Sequence, residues 1–175
     1  MFDEWHEFYL LIGSAAAVLI GLIFVVISLM QDRSRSSVLA GAQLYMGPIV
    51  LGVSFVLVLS AAALMPGMTP DRFAAVTAVV AFWGLFRGIA SILGIGRLKN
   101  EVHWTDVWFY GVFPSALYLG LGAIALAFWK NLPWGAHGLA VMITLGLLLA
   151  IRNEWDLITW IAPRSDPAPD PEARH

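Results

Sequence analysis

The sequence predicts an all-α protein, an integral membrane bundle of five transmembrane helices, and three observations predict this fold. Hydrophobic residues make up 59% of the 175 residues and charged residues only 13%, whereas soluble proteins are about 45 to 50% apolar. The mean hydropathy of +0.78 is correspondingly high. Five apolar segments are each long enough for the roughly 20-residue helix that crosses a hydrocarbon core, and short connections separate them.

The apolar segments follow one another at about residues 8–30, 44–65, 73–96, 107–129 and 138–162. The first follows Asp3, Glu4 and Glu7 without a Lys or Arg. Because its apolar core also exceeds the roughly 7 to 15 residues of a signal peptide, we expect it to be a spanning helix. Pro48 and Pro114 are expected to bend the second and fourth helices. Residues 1–162 are thus predicted to form a single transmembrane helical domain.

The distribution of Lys and Arg predicts the orientation, because these residues in short loops mark the cytoplasmic side. The loops after the first and third segments and the tail hold Arg33, Arg35, Arg97, Lys99, Arg164 and Arg174, whereas the alternate connections hold only Arg72 and Lys130. We therefore expect a membrane protein with its N-terminus outside and its C-terminus in the cytoplasm. Residues 163–175, rich in Pro, Asp and Arg, are predicted to form a disordered cytoplasmic tail.

Charged residues interrupt two of the apolar segments. Arg152, Asn153, Glu154 and Asp156 lie in the fifth segment and Arg87 in the third. Charges at membrane depth cost roughly 2.5 to 3.5 kcal/mol each, so they usually face protein or water. Arg152 and Asp156 are four residues apart and share a helix face, whereas Glu154 points roughly the opposite way. Two interpretations are open. In the first, Arg152 and Asp156 pair with each other near the inner interface; in the second, the charged residues form a functional polar cluster within the membrane.

The position of Arg87 makes the second alternative more specific. Arg87 and Arg152 each lie ten residues before the inner end of their segment, which is about 15 Å at a rise of 1.5 Å per residue. The two helices can therefore bring these side chains to one level. We predict that Glu154 or Asp156 neutralises Arg87, because the apolar parts of the other segments contain no acidic residue.

Small residues on two helices predict where helices pack closely. Gly84 and Gly88 share the face of Arg87 in a G-x-x-x-G spacing, and Gly13, Ala17 and Gly21 recur every four residues in the first segment. Such faces let helix backbones approach one another in membranes. These five residues are the predicted packing positions.

Several classes of function are excluded or lack support. The absence of cysteine excludes disulfides, thiolate metal sites and dithiol redox chemistry. The net charge of −2 and the scattered basic residues give no reason to expect nucleic acid as a partner. No zinc-protease motif, nucleophile elbow or phosphate loop is present, so no enzymatic activity is predicted. Asp3, His6, Glu7 and His137 are interpreted as solvated groups, and no metal or other cofactor is predicted.

Two parts of the chain resemble a family of small multi-pass bacterial membrane proteins of largely unknown function. The matching residues are Trp5-His6-Glu7-Phe8, Gly13-Ser14-Ala15-Ala16-Ala17, Gly21 to Ser28, Arg152-Asn153 and Trp155-Asp156-Leu157. Some members resemble proteins labelled as modulators of a membrane-bound ATP-dependent protease. The resemblance implies a membrane protein without catalytic residues.

Two functions are carried forward. The first is a non-enzymatic inner-membrane protein that assembles with itself or with a larger membrane complex and modulates it. The alternative is an oligomeric ion or proton channel, or a small transporter, that uses the cluster of Arg87, Arg152, Glu154 and Asp156. The lipid bilayer and a second copy or another membrane protein are the expected partners. A continuous hydrated path would favour transport, whereas a dry, paired cluster with an exposed groove of small residues would favour assembly.

Overall fold

A computed structural model of the chain describes residues 2–30, 35–97 and 108–161. Within these residues the protein is all-α and contains no strand, which confirms the predicted class. The five helices are α1 His6–Met30, α2 Arg35–Leu64, α3 Pro70–Arg97, α4 Phe113–Trp129 and α5 Gly135–Ile161. A 3-10 turn, Asp3–Trp5, precedes α1, and a π-helical turn, Trp108–Val112, leads into α4. The predicted tail at 163–175 lies outside the described residues.

Three helical stretches of the described chain are long and apolar enough to cross a membrane, namely His6–Val25, Pro70–Ala90 and Gly135–Asp156. The apolar stretches described in α2 and α4 are shorter, at Ile49–Leu64 and Phe113–Trp129. The 17 residues of α4 span about 26 Å at 1.5 Å per residue, less than the roughly 30 Å of a hydrocarbon core. Among the residues that the structure describes, three helices rather than five qualify as spans by length and apolar composition.

Local sequence explains how α3 begins. Thr69 is its N-cap, and the Thr69 hydroxyl accepts a hydrogen bond from the backbone N–H of Arg72 at 3.4 Å. Pro70 occupies the first helical position, where its missing N–H costs nothing, and Asp71 lies in the first turn near the positive end of the helix dipole.

A Schellman motif ends α4. The backbone N–H of Asn131 donates to the carbonyl of Phe128 at 3.0 Å, and that of Leu132 donates to the carbonyl of Ala127 at 2.8 Å. Asn131 adopts a positive φ of 51°, as the motif requires at this position. Because this motif reverses the chain within a few residues, α5 begins directly at Gly135 and packs antiparallel to α4.

Two helix pairs, α1 with α2 and α3 with α4, form the most extensive contacts of the bundle, and α2 also packs against α5 and α3. Gly84 and Gly88 of α3 lie directly against α4. A Cβ at Gly84 would overlap the ring of Tyr118, and one at Gly88 would lie 2.6 Å from the Ser115 hydroxyl oxygen. The absence of a Cβ therefore sets the close approach of these two helices.

The small-residue stripe of α1 contacts its neighbour at one position only. A Cβ at Gly13 would lie 3.1 Å from the Cβ of Ser60 on α2. Ala17 is exposed, and Gly21 has no atom within 4 Å of its Cβ position, so the predicted packing role of these two residues is not seen. The reason is geometric: at 3.6 residues per turn, four-residue steps drift by about 40° each, so the stripe turns away from α2.

Aromatic rings close one end of the bundle. The Phe2 ring lies in edge-to-face contact with Tyr9, Phe73 and Phe128, with centroid distances of 5.2, 4.9 and 5.7 Å. Phe73 and Phe128 also contact each other at 4.9 Å. This aromatic cluster joins the N-terminal turn to α1, α3 and α4, and Phe2 is only 7% exposed.

Candidate functional site

The charged residues of α5 form an ion pair within the helix. The Nη1 nitrogen of Arg152 lies 2.8 Å from the Oδ2 oxygen of Asp156, one turn further along, and the two side chains are 40% and 42% exposed. This is the pairing that the helical spacing allows, and it is the first of the two alternatives that the sequence left open. The charges of this pair therefore neutralise each other at the end of the apolar stretch of α5.

The π-helical turn before α4 holds Arg152 from the other side. The guanidinium carbon lies 3.2 Å above the centroid of the Phe109 ring, a cation–π contact. Asn153 donates from its Nδ2 nitrogen to the Phe109 carbonyl at 3.4 Å and accepts a hydrogen bond from Arg152 Nη1 at 3.4 Å. Arg152, Asn153 and Asp156 thus brace α5 against this turn, and we call them, with Phe109, the α5 brace.

Glu154 differs from its neighbours on α5. Its side chain is 5% exposed, and neither carboxyl oxygen has a hydrogen-bond partner. An unpartnered buried carboxyl group loses its hydration without compensation, at a cost of several kcal/mol when it is charged. Such a group destabilises the fold. Because stability does not explain its presence, Glu154 is the strongest single functional candidate of the cluster.

Arg87 lies on the exposed surface of α3, apart from the α5 brace. Its Nη2 nitrogen lies 3.7 Å from the position that a Cβ would occupy on Gly47 of α2. No ion pair joins Arg87 to Glu154 or Asp156 among the residues that the structure describes. The predicted neutralisation of Arg87 by α5 is therefore wrong for Glu154, and Asp156 is engaged by Arg152 instead.

The arrangement of the helices explains this outcome. α3 packs mainly against α4 and α2, whereas α5 packs against α2 and α4 from the other side. Gly47 of α2 adjoins Arg87, and Ile49, two residues on, lines a cavity that Asn153 borders. The equal depth of Arg87 and Arg152 stays a prediction, and the identity of neighbouring helices does not follow from sequence position.

A cavity of about 50 Å³ adjoins the brace between α2, α4 and α5. Asn153 lies at its border, and the Tyr118 hydroxyl oxygen is 4.0 Å from the Cβ position of Gly52 on its wall. The other lining residues are apolar, among them Ile49, Val56 and Ile143. Of the described residues, only Asn153 and Tyr118 bring polar side chains to this lining, which is otherwise that of a packing cavity.

The polar residues near the N-terminal turn do not gather into a metal site within the described chain, where no three His, Asp or Glu side chains come together. His6 and Glu7 are exposed to the surroundings. The His137 ring packs edge-on against Trp5, with a centroid distance of 4.9 Å.

Comparison of the chain with models of protein families, with curated proteins and with solved structures gave no match. The proposed function therefore rests on the geometry of the described residues, and the resemblance to small multi-pass membrane proteins stays a prediction.

Proposed function

We propose that this protein is a non-enzymatic, five-helix protein of the bacterial inner membrane that assembles with itself or with a larger membrane complex and modulates it. In this proposal α2 and α4 also cross the bilayer, α2 with the aid of the polar first turns that begin at Arg35, and α4 with the π-helical turn Trp108–Val112 that precedes it. The excess of Lys and Arg in alternate loops supports a cytoplasmic C-terminus.

The observation that carries the proposal is a groove of about 340 Å³ between α3 and α4, which we call the α3–α4 groove. Small residues make up half of its lining: Ala74, Ala75, Ala78, Ala81, Gly122 and Ala125. Bulky side chains stand beside it, since Phe82 is 72% exposed and Trp129 65% exposed. In a bilayer, where helix association depends on close packing, a groove with small residues in its lining and bulky walls fits a helix of another chain.

The α5 brace supports the same function. Arg152 and Asp156 satisfy each other, Phe109 covers the guanidinium, and Asn153 ties α5 to the turn before α4. Groups that are paired in this way position helices, and the cavity beside them is lined mainly by apolar side chains. A paired cluster, together with a groove of small residues elsewhere on the bundle, is the combination expected of a protein that docks on a partner.

The test places a bulky side chain in the α3–α4 groove. Ala78→Trp fills the exposed groove, and Ala61→Trp, at an exposed position of α2 outside it, is the matched control. We expect the unmodified protein in lipid nanodiscs to form an oligomer or to carry a co-purifying chain. We expect Ala78→Trp to abolish this association and Ala61→Trp to retain it. A membrane-bound ATP-dependent protease is the complex that the family resemblance names, so its subunits are the first to seek among co-purifying chains. A monomer without co-purifying chains in lipid would contradict the proposal.

A second candidate function rests on Glu154. A buried carboxyl group with both oxygens unpartnered is the kind of intramembrane residue that ion and proton pathways use. This supports the channel or transporter alternative, in which Arg87, Arg152 and Asp156 set the local charge. Proton or cation flux in proteoliposomes that Glu154→Gln abolishes, with the fold intact, would rank this function first. If proteoliposomes with the unmodified protein showed only the flux of empty liposomes, the channel or transporter function would be excluded.

A further inference from the structure

A second groove runs along the opposite side of α4, between α4 and α5. Its volume is about 520 Å³, within the range of roughly 300 to 1,000 Å³ of ligand sites. Phe113 and Ala116 of α4 and Met142 and Leu145 of α5 lie along it, and Arg152 lies at one end. Apart from that guanidinium, the described side chains that line the groove are apolar. We call it the α4–α5 groove.

The position of Arg152 along α5 gives the depth of the charged end. The apolar stretch Gly135–Asp156 has 22 residues, which span about 33 Å at 1.5 Å per residue, close to the roughly 30 Å hydrocarbon core. In the proposed orientation Arg152 and Asp156 therefore lie where the core meets the inner headgroups. The groove runs from Arg152 to Met142, ten residues or about 15 Å towards the bilayer centre. That length is about one leaflet of the core.

The guanidinium can bind a further anion at this end. The bonds that the structure shows for Arg152, to Asp156 and Asn153, both come from Nη1, whereas a guanidinium has five N–H donors. The side chain is 40% exposed. Stacking on Phe109 fixes its plane, so the other donors are held in position without a loss of side-chain freedom on binding.

We propose that the α4–α5 groove binds one anionic phospholipid of the inner leaflet, with its phosphate on Arg152 and an acyl chain along the apolar groove. Basic pockets between transmembrane helices on the cytoplasmic side recognise anionic headgroups in this way. The proposal rests on the membrane orientation proposed above and is independent of the partner on the α3–α4 groove. Asp156 competes with the phosphate for the guanidinium, which keeps the site exchangeable.

The first experiment compares two substitutions that a merely structural brace would not separate. Delipidated protein is titrated with phosphatidylglycerol or phosphatidylcholine and read by native mass spectrometry. Arg152→Gln removes the charge-assisted bonds, and we expect roughly tenfold weaker phosphatidylglycerol binding. Asp156→Asn removes the competing carboxylate, and we expect severalfold tighter binding. If Arg152 and Asp156 served only to brace the helices, both substitutions would weaken binding or leave it unchanged.

The second experiment blocks the apolar part of the site without changing any charge. Ala116→Trp fills the α4–α5 groove, and Ala123→Trp, two turns further along the same face of α4, lies outside it. We expect the first to weaken phosphatidylglycerol binding to the level of Arg152→Gln and the second to bind like the unmodified protein. This comparison also decides the question if Arg152→Gln fails to fold.

Three results would overturn the proposal. Equal affinities for phosphatidylglycerol and phosphatidylcholine would show that the site does not select for the headgroup charge. Competition by inorganic phosphate alone, with no effect of Ala116→Trp, would show an anion site without an acyl groove. Loss of a dimer rather than of lipid in Ala116→Trp would assign the groove to a second copy of the chain. Failure of the assembly proposal would instead appear in Ala78→Trp, which lies on the other groove.

Discussion

Arg152 and Glu154 lie two residues apart on α5, yet their surroundings differ completely. Arg152 has an acidic partner one turn away, an aromatic ring above it and an amide beside it, whereas the Glu154 carboxyl is buried without a partner. The helical spacing alone predicted that these side chains leave α5 on opposite faces. Sequence could not show which face would be buried, nor that Phe109, far away in the chain, would cover the guanidinium.

Substitution of Glu154 tests whether this residue is kept for function. We expect Glu154→Leu to leave the thermal melting temperature in detergent unchanged or raised, because an apolar side chain of similar size removes an unsatisfied buried group. Asp156→Leu is the comparison, since it leaves Arg152 without its ionic partner and should lower the melting temperature. A loss of about 3 to 5 kcal/mol in Glu154→Leu would mean that the carboxyl has a stabilising partner in lipid.

At the scale of elements, apolar segments predicted the helices closely but not their full extent. The predicted end of the fourth segment at Trp129 is the observed end of α4, whereas α2 begins at Arg35, well before its predicted apolar stretch. Hydropathy reports which residues suit lipid, and a helix continues through polar residues as well.

The π-helical turn before α4 was not predicted. Pro114 cannot donate a backbone hydrogen bond, which leaves the helical ladder incomplete next to this turn. The Ser115 hydroxyl adds a bond to the Gly111 carbonyl at 2.7 Å.

The contact between α3 and α4 gives a prediction at this scale. Gly84→Ala places a methyl group against the Tyr118 ring, and we expect it to destabilise the protein by about 1 to 3 kcal/mol through overpacking. The control is Gly21→Ala on α1, where the methyl group meets no atom within 4 Å. That substitution should stabilise by about 0.5 to 1 kcal/mol, because Ala favours the helix over Gly. Equal effects of the two in thermal melting would contradict the close approach of α3 and α4.

At the scale of the whole molecule, the turn before α1, the loop between α2 and α3 and the loop between α4 and α5 lie at one end of the bundle. Phe2, Phe73 and Phe128 meet there, and Trp5 contacts His137. The helices themselves and the charge bias of the loops were readable from the sequence. The order in which helices neighbour one another was not, since it depends on contacts between residues far apart in the chain.

Single cysteines test the orientation cleanly, because the chain has no cysteine of its own. We expect Glu4→Cys, Asp71→Cys and Lys130→Cys to react with a membrane-impermeant maleimide in intact spheroplasts, and Pro169→Cys to react only after lysis. The expectation follows from the common end of the first three positions and from the basic residues of the alternate loops. Labelling of Glu4→Cys and Pro169→Cys from the same side would exclude five crossings.

The aromatic cluster also has a consequence for biogenesis. Phe2 leaves the ribosome well before Phe128, which packs against it and lies at the end of α4. Until α4 has been synthesised, the Phe2 ring can pack only against Tyr9 and Phe73. The cluster is therefore completed late in assembly, and a nascent chain stalled before α4 would hold its N-terminal turn by fewer contacts than the finished protein.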